Sequence, residues 1–159
     1  MGSSVYILSG SRTALGSYMG SFATTPAPKL AGVAISAALK KADVDPSSVY
    51  HAWMGHVIQA GVGQAPARQA VLAAGLAEHT AAVTVNKVCG SGLEAIISAA
   101  RSIALGEVDI AIAGGMENMS MAPHLLPQAR SGVGFGSVQL RDAMQWDGLW
   151  DVYSNQTMG

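Results

Sequence analysis

The sequence predicts an α/β fold in which a mostly parallel sheet carries helices on both faces. Three observations predict it. Strand-like and helix-like stretches alternate over residues 5–115 in the order β-α-β-α-β-α-β, the order that builds parallel sheets through crossover helices. The strand-like stretches are apolar on both sides rather than alternating, as in strands covered on both faces. Glycine supplies 19 of 159 residues, well above the usual share of about 7%, and several glycines stand where an element must end.

The elements follow in order. Residues 5–9 (VYILS) form a short β-rich run. Residues 29–42 place Leu30, Val33, Ala34, Ala37 and Ala38 on one helical face. Residues 51–58 (HAWMGHVI) read as a second strand. Pro66 suits the first turn of a helix that runs through Arg68 and Val71 to Ala74 and stops at Gly75. Residues 82–88 (AVTVNKV) are the third strand. A helix then runs from the Cys89-Gly90-Ser91-Gly92 turn to Leu105, with Leu93, Ile96, Ile97, Ala100 and Ala104 as its buried face and Gly106 as its stop. Residues 108–113 (VDIAIA) are the fourth strand, ending in Gly114-Gly115.

Residues 116–159 differ in character: they are rich in Gly, Met, Gln and Ser, with weak periodicity. The chain is therefore expected to divide into a core at 1–115 and the start of a second region at 116–159. Gly132-Val133-Gly134-Phe135-Gly136 is the most flexible stretch. It is no phosphate loop, because no Lys-Ser/Thr follows and no strand leads into it.

Composition excludes several function classes. A net charge of -1 offers nothing to attract nucleic acid or an anionic membrane. No run approaches the roughly 18 apolar residues of a membrane span, and the segment MGSSVYILSG lacks the basic and apolar regions of a secretory leader. The single cysteine, Cys89, allows no internal disulfide, so a reducing compartment is expected, cytoplasmic or the mitochondrial matrix. His51, His56, His79 and His124 are scattered, and no Cys pair accompanies them, so no metal site is expected. Charged residues are only 12% of the chain, against about 25% in ordinary domains. Scarce charge points to a surface that another domain or subunit covers.

The chemistry concentrates in VNKVCGSGLEAIISAA, beginning at Val85. Cys89 sits at the end of a strand, and Gly90 and Gly92 let the chain turn sharply into a helix. Ser91 followed by Glu94 has the spacing of a capping box. A cysteine at a helix N-terminus meets unpaired N–H groups and the positive end of the dipole, which favour a thiolate. The same N–H groups suit a carbonyl oxygen that is becoming an oxyanion. A lone cysteine is more often a buried small hydrophobe; the Gly-Ser-Gly turn and the helix start argue for a nucleophile instead.

With these residues in view, the sequence resembles the thiolases, and among them the acetoacetyl-CoA type. The blocks SRTALGSYMGSF, MGHVIQAGVGQAPARQA, VNKVCGSGLEA, GGMENMSMAPHLLP and DGLWDVYSNQTMG carry the resemblance, in order along nearly the whole chain. It implies a thiolase-like three-layer α/β/α arrangement, represented by the N-terminal half without its last strand. In that family this strand follows a loop region and lies between the first and fourth strands.

The implied chemistry is ping-pong covalent catalysis on acetyl-CoA, with no cofactor, giving acetoacetyl-CoA and CoA through acetyl-Cys89. The Cys89 N–H would serve an oxyanion hole, Met158 would border the acyl pocket and Leu149 the pantetheine path. A homo-oligomer is implied for the complete protein. The family's Gly-His-Pro histidine and second catalytic cysteine belong to a C-terminal half, either on a second chain or absent, so these residues alone are expected to be inactive. Thr157 stands where the family has His, and Glu94 where Lys or Gln is common. A non-enzymatic assembly fragment and a ketoacyl synthase-like condensing enzyme are the alternatives.

Other polar residues read as structural or open. Arg12 is expected to be structural. Gln64 and Arg68 suit either a subunit surface or a helix start. Glu117 and Asn118 follow a strand's carboxyl end and are expected to order a loop; His124 and the Met116, Met119 and Met121 group are expected to pack.

Overall fold

The computed structural model describes residues 4–159. Three helices and three parallel strands make its centre: α1 (Ala27–Ala42), β1 (His51–Gly55), α2 (Pro66–Ala73), β2 (Ala81–Val85), α3 (Ser91–Ala104) and β3 (Ala111–Gly115). The strands lie in the order β2-β1-β3, all parallel. His51 pairs with Ala81 on one side and Ala111 on the other, so the three strands end together at Val85, Gly55 and Gly115. Their carboxyl ends, where α/β sheets assemble sites, thus open onto one edge.

Helices cover both faces. Ala52 and Met54 of β1 join Ala31, Ile35, Leu39, Ala67, Ala70 and Val71 of α1 and α2 in the main core. The intervening β1 residues face α3, which packs on β1 and β3. At Gly55 that approach is closest: a Cβ there would stand 2.7 Å from the Gly92 nitrogen and from the Ser91 carbonyl carbon. Only glycine lets the start of α3 rest on the end of β1. Gly32 plays the same part between α1 and α2, where a Cβ would meet the Ala73 Cβ at 2.8 Å.

The helix starts have local causes. Pro28 and Pro66 occupy the first turns of α1 and α2, where a missing N–H costs nothing. The Thr84 hydroxyl accepts the Ala67 N–H at 3.0 Å and ties α2 to β2. Arg68 donates to the carbonyls of Thr80 and Glu78, both at 2.8 Å, so this side chain secures the turn before β2.

Several expectations need correction. Residues 5–9 form no strand: they run unpaired with Ile7 85% exposed, because a β-rich run becomes a strand only when a neighbour accepts its ladder. The buried stripe of α1 is Ala27, Ala31, Ile35 and Leu39; of the expected face, Val33 is 65% exposed. α3 likewise buries Ser91, Ala95, Ala99 and Ser102, while Leu93 and Ile96 face outward. Small residues take the side nearest the sheet because only they permit the close approach seen at Gly55. The expected strands at 51–58 and 82–88 end earlier, at Gly55 and Val85, and the one at 108–113 is shifted to Ala111–Gly115.

Beyond β3 the chain forms small paired pieces: β4 (His124–Leu125) with β5 (Arg141–Asp142), and β6 (Trp150–Asp151) with β7 (Gln156–Thr157), both antiparallel. A six-residue π-helix, Met144–Leu149, joins β5 to β6. Arg141 lies over the Trp146 ring at 4.3 Å, and Trp146 stacks on Trp150 at 6.2 Å. Among the described residues no helix is long and apolar enough to cross a membrane.

Candidate active site

Cys89 stands on a strand–turn–helix elbow. β2 ends at Val85, Asn86-Lys87-Val88 turn the chain, and Gly90 precedes α3. The thiol is free and exposed. The turn is closed by the Gly90 N–H to the Lys87 carbonyl at 3.0 Å and the Ser91 N–H to the Val88 carbonyl at 3.0 Å. Cys89 itself is joined to Lys87 in an isolated bridge just before the helix start.

Ser91 and Glu94 do not form the expected capping box. The Ser91 hydroxyl turns back into the elbow, donating to the Val88 carbonyl at 2.5 Å and accepting the Lys87 N–H at 2.8 Å. Glu94 instead binds the Lys87 ammonium at 2.7 Å and lies 3.6 Å from Arg101. The Lys87 hydrogen bond, with its charge, holds the Glu94 carboxyl below its ordinary value. Glu94 therefore braces Lys87 from the first turn of α3, a reason for an acid at this position that the capping motif did not supply.

Beside the elbow lies a pair made of a buried histidine and a half-buried glutamate. His56, directly after β1 and 1% exposed, places Nε2 3.1 Å from Glu117 Oε1. Glu117 Oε2 accepts the Val57 N–H at 2.9 Å and the Ile58 N–H at 3.4 Å. Burial acts to raise the Glu117 carboxyl, but His56 and these donors outweigh it and leave the group below its ordinary value. Asn118 donates to the carbonyls of Phe22 and Thr25, both at 2.8 Å. Glu117 and Asn118 thus order the loops at the sheet's carboxyl edge. His56 and Asn86 escaped the sequence reading. His56 and its partner are 61 residues apart, so no local pattern marks the pair, whereas Asn two residues before Val88 has the spacing of an Asx turn.

Leu149 and Met158 are brought together: the Met158 N–H donates to the Leu149 carbonyl at 2.9 Å across the β6–β7 hairpin. Thr157 sits exposed in β7 opposite Trp150. Two hollows are defined nearby, one of about 560 Å³ between residues 11–18, α1 and Glu117, the other of about 100 Å³ beside His56. Neither is lined by Cys89, Leu149 or Met158. Among the described residues no group of three or more His, Cys, Asp or Glu is placed to hold a metal.

A parallel α/β unit with an exposed thiol on a strand–turn–helix elbow is the class of architecture these residues form. The chain belongs to the thiolase family, matching Thiolase, N-terminal domain over residues 5–159. It is 52% identical to an acetyl-CoA acetyltransferase of Cupriavidus necator over 98% of its own length and 39% of that protein. Identity to acetyl-CoA acetyltransferase 2 of Arabidopsis thaliana is 50%, over 98% of this chain and 38% of the relative. A thiolase of Ascaris suum, solved in complex with coenzyme A, superposes with a TM-score of 0.92 at 38% identity, covering 96% of this chain and 40% of that one. The chain thus spans about two fifths of the length of the relatives it matches.

Proposed function

We propose that the chain carries the nucleophilic part of a thiolase-type acyltransferase that condenses two acetyl-CoA into acetoacetyl-CoA and CoA, reversibly. Cys89 Sγ attacks the acetyl carbonyl, the bond to the CoA sulfur breaks, and CoA leaves as the acetyl thioester of Cys89 forms. A second acetyl-CoA, deprotonated at its methyl, then attacks that carbonyl; the new carbon–carbon bond forms as the Cys89 thioester bond breaks. The observation that carries this reading is the elbow itself, an exposed thiol at the start of a helix, where N–H groups suit a developing oxyanion.

Leu149 and Met158, joined across the β6–β7 hairpin, are assigned to the pantetheine path and the acyl pocket. Two groups needed for turnover are not among these 159 residues: a histidine in a Gly-His-Pro block to activate the thiol, and a second cysteine to move the substrate proton. These residues alone are therefore assigned no turnover, and any acetyl they take up on Cys89 is stoichiometric. The free thiol suits a reducing compartment, and the cytoplasm is the assignment we make. Extensive exposed apolar surface supports a homo-oligomer in the complete protein.

Incubation with acetyl-CoA followed by intact-mass measurement tests the reading. One acetyl group is expected on the chain, and none on Cys89→Ala. A polypeptide bearing the Gly-His-Pro and Cys-x-Gly-Gly-Gly blocks is expected to raise the yield. No adduct on Cys89 even with that polypeptide would sink the enzyme reading and leave an assembly fragment.

A further inference from the structure

Val88, the residue immediately before the nucleophile, has φ of 47°. A β-branched residue in the left-handed region is a true outlier that persists only when its surroundings impose it. Side-chain packing does not impose it here, because Val88 is 43% exposed. Its two backbone groups are both held instead. The Val88 N–H donates to Asn86 Oδ1 at 3.0 Å, and the Val88 carbonyl accepts both the Ser91 hydroxyl at 2.5 Å and the Ser91 N–H at 3.0 Å. The Ser91 oxygen also accepts the Lys87 N–H, so one buried hydroxyl grips the residues on both sides of that peptide. Asn86 is aimed from its other end: Nδ2 donates to the Val57 carbonyl at 3.4 Å, and Val57 is itself held by Glu117.

We propose that Asn86 and Ser91 are positioning residues for Cys89, clamping Val88 in its left-handed conformation and so fixing where the thiol and its N–H point. The assignment rests on Cys89 being the acylated nucleophile. Asn supplies both an acceptor for Val88 and a donor for Val57, which Asp and Ala cannot. Serine supplies a hydroxyl small enough to be enclosed beneath the turn. Valine, unlike glycine, does not hold this conformation unaided, so the clamp sets the elbow rather than decorating it.

The test uses these 159 residues, whose only thiol is Cys89. Asn86→Ala and Ser91→Ala are expected to slow acetyl uptake from acetyl-CoA roughly ten- to a hundredfold, the effect of misplacing a reacting atom. The far-UV spectrum should stay unchanged. Val88→Gly placed in the Asn86→Ala background is expected to restore most of the rate, because glycine adopts φ of 47° freely. A general loss of structure would not be rescued in this way. Acetyl uptake at the unaltered rate in both variants, or a loss that Val88→Gly does not restore, overturns the clamp. If Ser91→Ala does not fold, Asn86→Ala, whose side chain is exposed, decides the matter. Hydrogen exchange of a peptide covering residues 85–90 provides a readout that needs no acetyl-CoA: faster exchange is expected in Asn86→Ala, and unchanged exchange overturns the clamp. Failure of the unaltered chain to take up acetyl, with faster exchange in the variant, would instead remove the transferase reading and leave the clamp standing.

Discussion

Glu117 is where a single side chain has most to say about conditions. Its carboxylate gathers His56 and the N–H groups of Val57 and Ile58 at the end of β1, and its folded value lies below the ordinary 4.5. A depressed carboxyl means that the folded state binds fewer protons than the unfolded state as pH falls through 4.5. Its contribution is fully present above the unfolded value and is lost as pH drops through the folded one. The melting temperature is expected to fall more steeply between about pH 5 and pH 3 in the native chain than in Glu117→Gln. At pH 7 the substitution is expected to cost about 1 kcal/mol through weakened hydrogen bonds to the loop. Parallel melting curves for the two across that range would refute the account. The loop-ordering role of Glu117 was legible along the chain, but its partners were not, because they are brought together only by the β1–β3 pairing. The turn that follows Cys89 was legible, since glycines on either side of Ser91 before an apolar helix announce it. The left-handed Val88 was not, since residue type favours the opposite conformation there.

At the scale of elements, the alternation of strand and helix was readable because the long helices carry sustained periodicity and Gly75 and Gly106 follow the ends of α2 and α3. Which face each helix buries was not. α1 buries the stripe through Ile35, with Val33 outside it, and α3 turns alanines and serines inward. Hydrophobicity ranks residues, whereas the closeness of helix and sheet ranks them by size. Ile35→Ala is therefore expected to destabilise by about 2–5 kcal/mol, and Val33→Ala to remain within about 0.5 kcal/mol; comparable losses in urea melts would contradict the assigned face. Gly55→Ala is the sharper test of the contact that seats the elbow. Its methyl would meet backbone atoms of Ser91 and Gly92 at 2.7 Å, which cannot rotate aside. A loss of about 1–3 kcal/mol is expected, together with slowed acetyl uptake at Cys89. Full stability and unchanged uptake would show that α3 does not depend on this close approach.

For the whole molecule, the sparse charge and the surviving apolar surface tell one story. Only 12% of residues are charged. Leu93 and Ile96 on α3, Val33 on α1, the unpaired Tyr6-Ile7-Leu8 run and Phe135 are all exposed. The sheet also presents β2 and β3 as edges with no further strand among the described residues. Contiguous apolar surface and unpaired edges both drive association in water. The polypeptide of 159 residues, studied by itself, is thus expected to associate or to precipitate. Sedimentation velocity should show species larger than a monomer, growing with concentration. Replacing Leu93 and Ile96 with Lys should raise the monomer fraction without altering the far-UV spectrum, because both side chains lie outside the packed face of α3. A monodisperse monomer with a sharp two-state melt would overturn the expectation. It would mean that small-residue packing around β1 suffices by itself, and that the outward Leu93 and Ile96 of α3 need no cover.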